Sequence, residues 1–370
     1  MALTKVDPTV VNDQVFGRRN LIINGDMRIA QRGTSSTAFA HLLDRFYNDY
    51  NGGTVTYAQS ALSSSDTPYT HGFRSAVKIT NTSAGSDAAA NYVRFQQKIE
   101  ATNLANSGWN YTSATSFVTL SFWVKSSLAG TYAIQIYNVD AGAKSYSFEF
   151  TLSANTWTKV THAIKGDSGV VINDDSGEGL AVQFFVHAGT NYSTSGHTNE
   201  AWQTYSGSDQ VKDYGQSWSA TASATFEITG LQLEVGSQAT PFEHRSFGEE
   251  LALCQRYCQK YGPYGANSFP FGPSGYSYAA TTTAVGQILP AELRASPSIS
   301  FNGDGNPELR GGNTAGSNTL SAVTSVSSII SAGTSLMMNV TTSGNSNETG
   351  QVRVLCNASA NNFMIYDAEL

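Results

Sequence analysis

Along most of the chain, apolar and polar residues alternate. In "FVTLSFWVK" Val118, Leu120, Phe122 and Val124 share one face, with Thr119, Ser121 and Lys125 on the other. That period of two is the pattern of a strand buried on one side. It recurs in "TYAIQIYNV" (Tyr132, Ile134, Ile136), "YSFEFTL" (Tyr146, Phe148, Phe150, Leu152), "TWTKVTHAI", "LAVQFFVHA" and "ATFEITGLQLEV". Gly, Asn, Asp and Ser clusters separate these runs, and no useful helical period intervenes from Leu21 to Glu234. Many short strands at such spacing predict an antiparallel β-sandwich over 21–240. Trp123 and Trp157 lie within strand patterns and are expected in its core. Two long polar loops, 165–179 and 189–223, interrupt the series, and loops of that length are usually functional or mobile.

After Gly262 the segment "YGPYGANSFPFGPSGYSY" packs Pro, Gly and aromatics into an irregular connector. Short strand patterns then return from Tyr276 to Leu370 ("TAVGQIL", "SISF", "SLMMNV", "GQVRVLC", "NFMIYDAEL"). They predict a second, smaller β-sandwich over 263–370. No internal repeat is visible, which excludes a solenoid or a long β-helix.

One stretch breaks the β pattern: "SFGEELALCQRYCQK", from Ser246. Ser246 and Glu249 have capping-box spacing, each side chain able to satisfy a backbone N–H of the other. Gly262-Pro263 supplies a stop. Glu249 and Glu250 occupy the first turn, and Arg256 and Lys260 the last two, as the helix dipole favours. A helix over 247–261 is predicted, about 22 Å long, connecting the two β domains over 241–262. Phe247, Leu251, Cys254, Cys258 and Tyr261 would form a two-heptad stripe along it. So short a helix is marginal alone, so the stripe must be covered by the adjacent β domains or by copies of itself around a symmetry axis. Cys254 and Cys258 lack a His or third Cys on that face, so they read as buried thiols rather than zinc ligands.

Composition narrows the function. The 370 residues suffice for two or three domains. Charged residues make up only 13%, whereas Gly numbers 34 and Phe and Tyr 18 each, which suits many turns and a surface of hydroxyls and amides. A net charge of −7 without any Lys/Arg run argues against nucleic acid. No apolar stretch of about 18 residues is present to cross a membrane. The opening "MALTKVDPTVVNDQVFGRR" lacks the apolar run of a secretory signal. Cys254, Cys258 and Cys356 form an odd set without a staple pattern, as expected of synthesis in a reducing cytoplasm.

Three stretches together resemble the tail fibre proteins of tailed bacteriophages: "NLIINGDMRIAQRGTS", "ITGLQLEVGSQATPFEHRSFGEELALCQRYCQKY" and "LPAELRASPSISF". In that family a lectin-like jelly-roll ends in a "QLE-G-x-x-ATPFE-R" segment, a short helix with "CQRYY" follows, and a small β domain closes the chain. The resemblance covers most of 20–300 and departs at Cys258, where the pattern more often has an aromatic. It implies a virion tail protein, made in the host cytoplasm and assembled as a homotrimer, with the 247–261 helices on the three-fold axis. Residues 1–20 would then attach to other tail or baseplate proteins. The 263–370 domain would be distal and meet the host surface polysaccharide through loops 302–318 and 341–350. Residues 20–240 also resemble the jelly-roll carbohydrate-binding modules of secreted glycosidases. That resemblance implies a possible structural Ca²⁺, for which Asp26, Glu227 and Glu234 are the candidate ligands.

Catalytic signatures are absent. The six His are scattered, and no G-x-S-x-G, P-loop or H-E-x-x-H appears. Asp174, Asp175 and Glu178 read as a solvated acidic turn, so no enzyme is expected. Sugars are recognised by flat aromatic faces combined with amide and hydroxyl hydrogen bonds. The 189–223 loop offers Tyr192, Trp202, Tyr205, Tyr214 and Trp218 for glycan binding. The same aromatics could instead anchor the loop on its own sandwich or on a neighbouring subunit. Three functions remain open: a glycan-binding tail fibre, a structural virion adaptor, or a polysaccharide hydrolase.

Overall fold

The computed structural model describes residues 19–140, 142–213, 217–263, 270–302, 307–313, 317–342, 352–356 and 361–370. The bulk of the expected attachment segment, Tyr214, and much of loops 302–318 and 341–350 lie outside the described residues. Two compact units meet in the sequence between Arg245 and Ser246.

The first unit opens with β1 (Ser35–Ser36), β2 (Ala40–His41), β3 (Phe46–Asn51), β4 (Thr54–Ala61) and β5 (Ser75–Ser83). Next come β6 (Tyr92–Glu100), β7 (Phe117–Ser126), β8 (Gly130–Asn138), β9 (Lys144–Leu152) and β10 (Thr158–Lys165). It ends with β11 (Glu178–Ala188), the two-residue β12 (Ser193–Thr194), β13 (Gln203–Thr204) and β14 (Val211–Lys212), and β15 (Thr225–Val235). Two short helices, α1 (Thr67–Thr70) and α2 (Ala101–Ala105), lie between strands. One sheet has the order β1-β4-β5-β15-β7-β10 and the other β13-β9-β8-β11-β6-β3-β2. The chain repeatedly changes sheet, so sequence neighbours face each other across one core: a jelly-roll sandwich. The predicted alternation fills that core. Phe122 of one sheet meets Phe184 of the other edge to face at 5.0 Å, and Phe46 stacks on Phe95 at 4.8 Å.

Trp123 and Trp157 correct the expectation. Trp123 has the opposite parity to Phe122 and Val124, so it faces outward and is half-buried. Trp157 lies half-buried on the same outer surface, its Nε1 donating to Asp66 Oδ1 at 2.7 Å and Lys125 Nζ 4.8 Å above its ring. Burial pushes the Asp66 carboxyl up, but bonds from Ser63 and Trp157 and the Lys125 charge prevail and hold it at about 2.

The two motifs nearest the ends of this unit fasten it shut. Asn20 Nδ2 donates to Leu231 O at 3.0 Å, while its Oδ1 accepts from Leu233 N and Ile22 N, both at 3.0 Å. Glu243 accepts from the backbone of Arg19 (3.1 Å) and Asn20 (2.9 Å) and from Arg245 at 2.8 Å. Two glycines are required where these segments meet. A Cβ on Gly25 would stand 2.1 Å from Leu231 O, and Gly230 has φ 63° with the Phe73 ring 2.6 Å from where its Cβ would be. "NLIING" and "ITGLQLE…PFEHR" are therefore framework.

The second unit begins with α3 (Phe247–Gln255), whose N-terminus carries the predicted capping box: Glu249 N donates to Ser246 Oγ, and Ser246 N to the Glu249 carboxylate. The helix is shorter than predicted. Cys258–Tyr261 forms strand β16, which pairs antiparallel with β24 (Phe363–Asp367). A ladder partner for those four residues outweighs the small gain from one more helical turn. The expected five-residue stripe is thereby split. Cys254 and Cys258 are fully buried, Tyr261 packs on Tyr366 at 5.2 Å, and of the set only Phe247 is well exposed, at 56%. The five residues thus do not line one helical face.

β17 (Pro270–Ala279), β18 (Thr282–Ile288), β19 (Ser298–Asn302), β20 (Glu308–Asn313), β21 (Ser317–Ala332), β22 (Ser335–Thr342) and β23 (Val352–Cys356) complete this smaller β unit. Its main sheet closes on itself in the order β17-β18-β22-β21-β20-β23, beside a three-stranded sheet β16-β24-β19. Its own core gathers Phe271, Val285, Leu309, Met338, Leu355 and Tyr366. The fold class is all-β, a sandwich and a smaller β unit, as the alternation predicts.

Candidate functional site: the outer face of the seven-stranded sheet

The strand "YVRFQQKIE" (β6) buries Val93, Phe95 and Ile99 in the core, which turns Tyr92, Arg94, Gln96 and Lys98 to the other side. Register extends these into rows across the sheet. Asp49 lies opposite Arg94, which lies opposite Phe185 and then Ala133. Tyr47, Gln96, Gln183 and Gln135 form the next row, and Lys98, Ala181 and Tyr137 the third. The outer face is therefore a field of amides and tyrosines around one arginine.

Arg94 is held bidentately by Asp49, with Nε–Oδ1 at 3.1 Å and Nη2–Oδ2 at 2.7 Å, and its Nη1 donates to Gln183 Oε1 at 3.4 Å. This fork geometry fixes the guanidinium plane. Burial would lower its pKa, but the hydrogen bonds and charge of Asp49 prevail and raise it. Lys98 pairs with Glu178 at 2.8 Å, so the two cations of the face each have a carboxylate partner. Burial and the Asp49 charge push the Tyr92 phenol up to about 12 and raise Tyr47 as well. Burial, then Tyr205, then Glu178 raise Tyr137. These phenols stay neutral and can donate or accept. Gln96, 5% exposed, and Gln135, fully buried, each have a buried Oε1 with no hydrogen-bond donor among the described residues.

The loop after β11 folds back over part of this face. Val211 packs against Ala133 and Phe185, and Gln135 Nε2 donates to Gln210 O at 2.8 Å. Asn199 Nδ2 donates to Glu149 at 2.8 Å and Glu200 N to Ser147 O at 2.7 Å. Tyr192 meets Tyr92 edge to face at 5.0 Å, and Tyr205 lies on Tyr137 at 4.6 Å. Tyr47, Tyr92, Tyr137, Tyr192 and Tyr205 are all half-buried on or beside this face, and the Arg94 guanidinium lies 5.6 Å over the Tyr92 ring.

Of the five loop aromatics expected to bind glycan, only Tyr192 and Tyr205 join this site. Trp202 packs on the core, with its Nε1 donating to Lys165 O at 2.7 Å and its ring 5.6 Å from Tyr146. Trp218 is fully buried in the core. Tyr214 lies outside the described residues. The loop's apolar rings had to satisfy the sandwich first, because a long loop without such anchors would not stay ordered on it.

Ser147, His197 and Asp209 have the connectivity of a hydrolytic triad: His197 Nε2 bonds Ser147 Oγ, and Nδ1 bonds Asp209 at 2.7 Å. Ser147 is only 1% exposed and sits beneath the loop. A nucleophile must reach a reacting carbonyl, so these three residues fasten the loop to the sheet. The acidic turn is likewise structural, with Asp174 accepting from Thr102 Oγ1 at 2.8 Å and Asn106 at 2.9 Å.

The three candidate Ca²⁺ ligands are engaged separately. Asp26 pairs with Arg28 at 2.8 Å, Glu227 with Lys125 at 3.2 Å, and Glu234 accepts from Thr240 N at 2.8 Å and Gln232 at 2.8 Å. Among the described residues no group of three or more His, Cys, Asp or Glu is placed to hold a metal. Calcium needs six to eight oxygens, and Asp26, Glu227 and Glu234 do not converge on one site.

No protein-family model and no curated protein matches the chain. Solved β-sandwich structures do, at long range. A putative sugar binding protein from Bacteroides thetaiotaomicron is 13% identical, with a TM-score of 0.33 over 59% of this chain and 100% of that one. The enzymatically active domain of tailspike protein 4 of bacteriophage CBA120 is 12% identical, with a TM-score of 0.33 over 59% of this chain. The match spans 22% of that tailspike's length. The family 11 carbohydrate-binding module of Clostridium thermocellum is 10% identical, with a TM-score of 0.28 over 57% of this chain and 99% of that one. These are distant likenesses of fold, and they do not bear on what this chain binds.

Proposed function

We propose that the chain is a virion tail fibre protein whose sandwich binds an uncharged host-surface glycan on the outer face of the seven-stranded sheet. The observation that carries the glycan reading is the set of five half-buried tyrosines on and beside the face that bears Arg94. Sugar hydroxyls exchange hydrogen bonds with phenols, and sugar C–H patches match ring faces and edges. Arg94 and Lys98 are each neutralised by a carboxylate, which favours a neutral saccharide over a uronate or a phosphate.

The tail-fibre reading rests on the three sequence stretches that resemble that family. With it come the remaining proposals: a homotrimer, attachment through residues 1–20, and a distal 263–370 domain whose loops tune specificity. On this reading the jelly-roll face, rather than the distal loops, is the principal glycan site.

A glycan array followed by titration calorimetry tests the reading. A neutral oligosaccharide should bind, and Tyr205→Ala should weaken it about tenfold, the loss of one aromatic contact. Arg94→Ala should abolish measurable binding. If no glycan binds, or if neither variant alters affinity, the chain is a structural component of the particle. Release of reducing sugar by the purified protein would favour a hydrolase.

A further inference from the structure

We infer that the outer side of the six-stranded sheet carries a second ligand site, built on Trp123 and Trp157, for an acidic saccharide bearing carboxylate or sulfate groups. It lies across the sandwich from the tyrosine face and shares no residue with it. Both indoles are half-buried, packed with Tyr69 against Leu62, Phe73 and Ala76. Both are also fixed in place. Trp157 Nε1 donates to Asp66 at 2.7 Å with Lys125 Nζ 4.8 Å over its ring, and the His71 ring lies 5.1 Å from that of Trp123. Rings already held lose little further freedom when a ligand stacks on them.

Register places cations around this pair. Trp123 lies opposite Lys159 on one side and Thr229 on the other. In the next row Lys125 lies opposite Glu227, which lies opposite Lys78. Lys125 is neutralised by Asp66 at 3.5 Å and Glu227 at 3.2 Å. Lys78 and Lys159 have no carboxylate partner among the described residues. Arg74 lies 3.9 Å over the Tyr69 ring and donates to the carbonyl oxygens of Tyr69 and Phe73, not to a carboxylate. Counted by parity, the strands turn Lys78, Lys125, Lys159 and Lys165 to this side against Glu227 and Glu234. In a chain of net charge −7 this is a local cationic surplus.

Charge and size decide the occupant. An apolar ligand has no use for the lysines, and a simple anion has none for the indoles. An acidic saccharide uses both, its C–H faces on the rings and its acid groups on Lys78 and Lys159. From Lys78 to Lys159 is three strand spacings, about 14 Å, and the two rows lie about 7 Å apart. A short oligosaccharide fills that area, whereas a stable protein partner covers about 800 Å². The tyrosine face differs in kind, because Arg94 and Lys98 there each have a carboxylate of their own.

Titration calorimetry on the full chain at low ionic strength tests the inference. The probes are tetragalacturonate and a sulfated tetrasaccharide, with maltotetraose as the uncharged comparison and hexaglutamate as an anion without sugar rings. At least one acidic saccharide should bind, with an affinity that falls as salt is added. Lys159→Gln should weaken it about fivefold and Trp123→Ala about tenfold. Lys212→Gln, the same charge change on the loop over the other sheet, should match the parent. Near-ultraviolet circular dichroism checks that Trp123→Ala is folded; if it is not, Lys78→Gln takes its place. The proposal is overturned if neither acidic probe binds at millimolar concentration or if hexaglutamate binds as tightly. It is equally overturned if Lys212→Gln costs as much as Lys159→Gln, or if Lys159→Gln weakens maltotetraose to the same degree. None of these results touches the neutral-saccharide reading, which is scored by uncharged oligosaccharides and Arg94→Ala.

Discussion

Glu243 and His162 show how single side chains set the conditions under which the sandwich is stable. Burial alone would raise the Glu243 carboxyl, but two backbone N–H groups and Arg245 hold it below its ordinary value. A depressed carboxyl contributes stability above the ordinary Glu value, and that contribution is lost as pH falls. Glu243→Gln should cost about 1–3 kcal/mol at neutral pH and should flatten stability in the acid range. Denaturant titrations in that range would read this, and an unchanged acid slope would refute it. His162 stacks on Phe148 at 3.9 Å and bonds the Tyr146 hydroxyl through Nε2 at 3.0 Å. Burial, outweighing Glu200, lowers its pKa. Its neutral form is favoured in the fold, so stability should fall as pH drops from about 7 to 5, where the unfolded chain takes up the proton first. His162→Gln should remove that slope; a parent whose stability is level over this interval contradicts the argument.

At the scale of elements, the loop over β8, β9 and β11 behaves as a strap held by a few polar contacts. His197→Ala removes the link between Ser147 and Asp209. Amide exchange in 193–213 should rise by about tenfold or more while the β-core stays protected, and hydrogen exchange read by mass spectrometry would show whether it does. How far sequence could reach is clear from particular elements. Alternation in "FVTLSFWVK" and "LAVQFFVHA" reports which residues line the core, because parity is a local property. The start of α3 was legible for the same reason, since a capping box spans only four residues, Ser246 to Glu249. Its end was not: β16 exists because β24, about a hundred residues later, supplies a ladder. The proposed saccharide site needed both levels. Arg94 stands visibly on the polar parity of β6, but its meeting with Asp49, Gln183 and the loop tyrosines depends on strand order. The loop tryptophans misled because bulk and flatness suit a core as well as a sugar.

For the whole molecule, separate cores in the two units predict separate folding. A fragment spanning 19–245 should melt cooperatively and should match the full chain in the proposed saccharide binding. Loss of either property in the fragment would mean that the sandwich depends on residues beyond Arg245. The barrel has a consequence of another kind. Because its six strands close on one another, their hydrogen bonds do not draw on the chain that joins them. A connector can then be lengthened or replaced at the cost of loop closure alone, about 0.6 kcal/mol for each doubling of length. Such a unit can exchange its connectors one at a time while its architecture stays fixed, so the segments between its strands are free to diverge faster than the strands themselves.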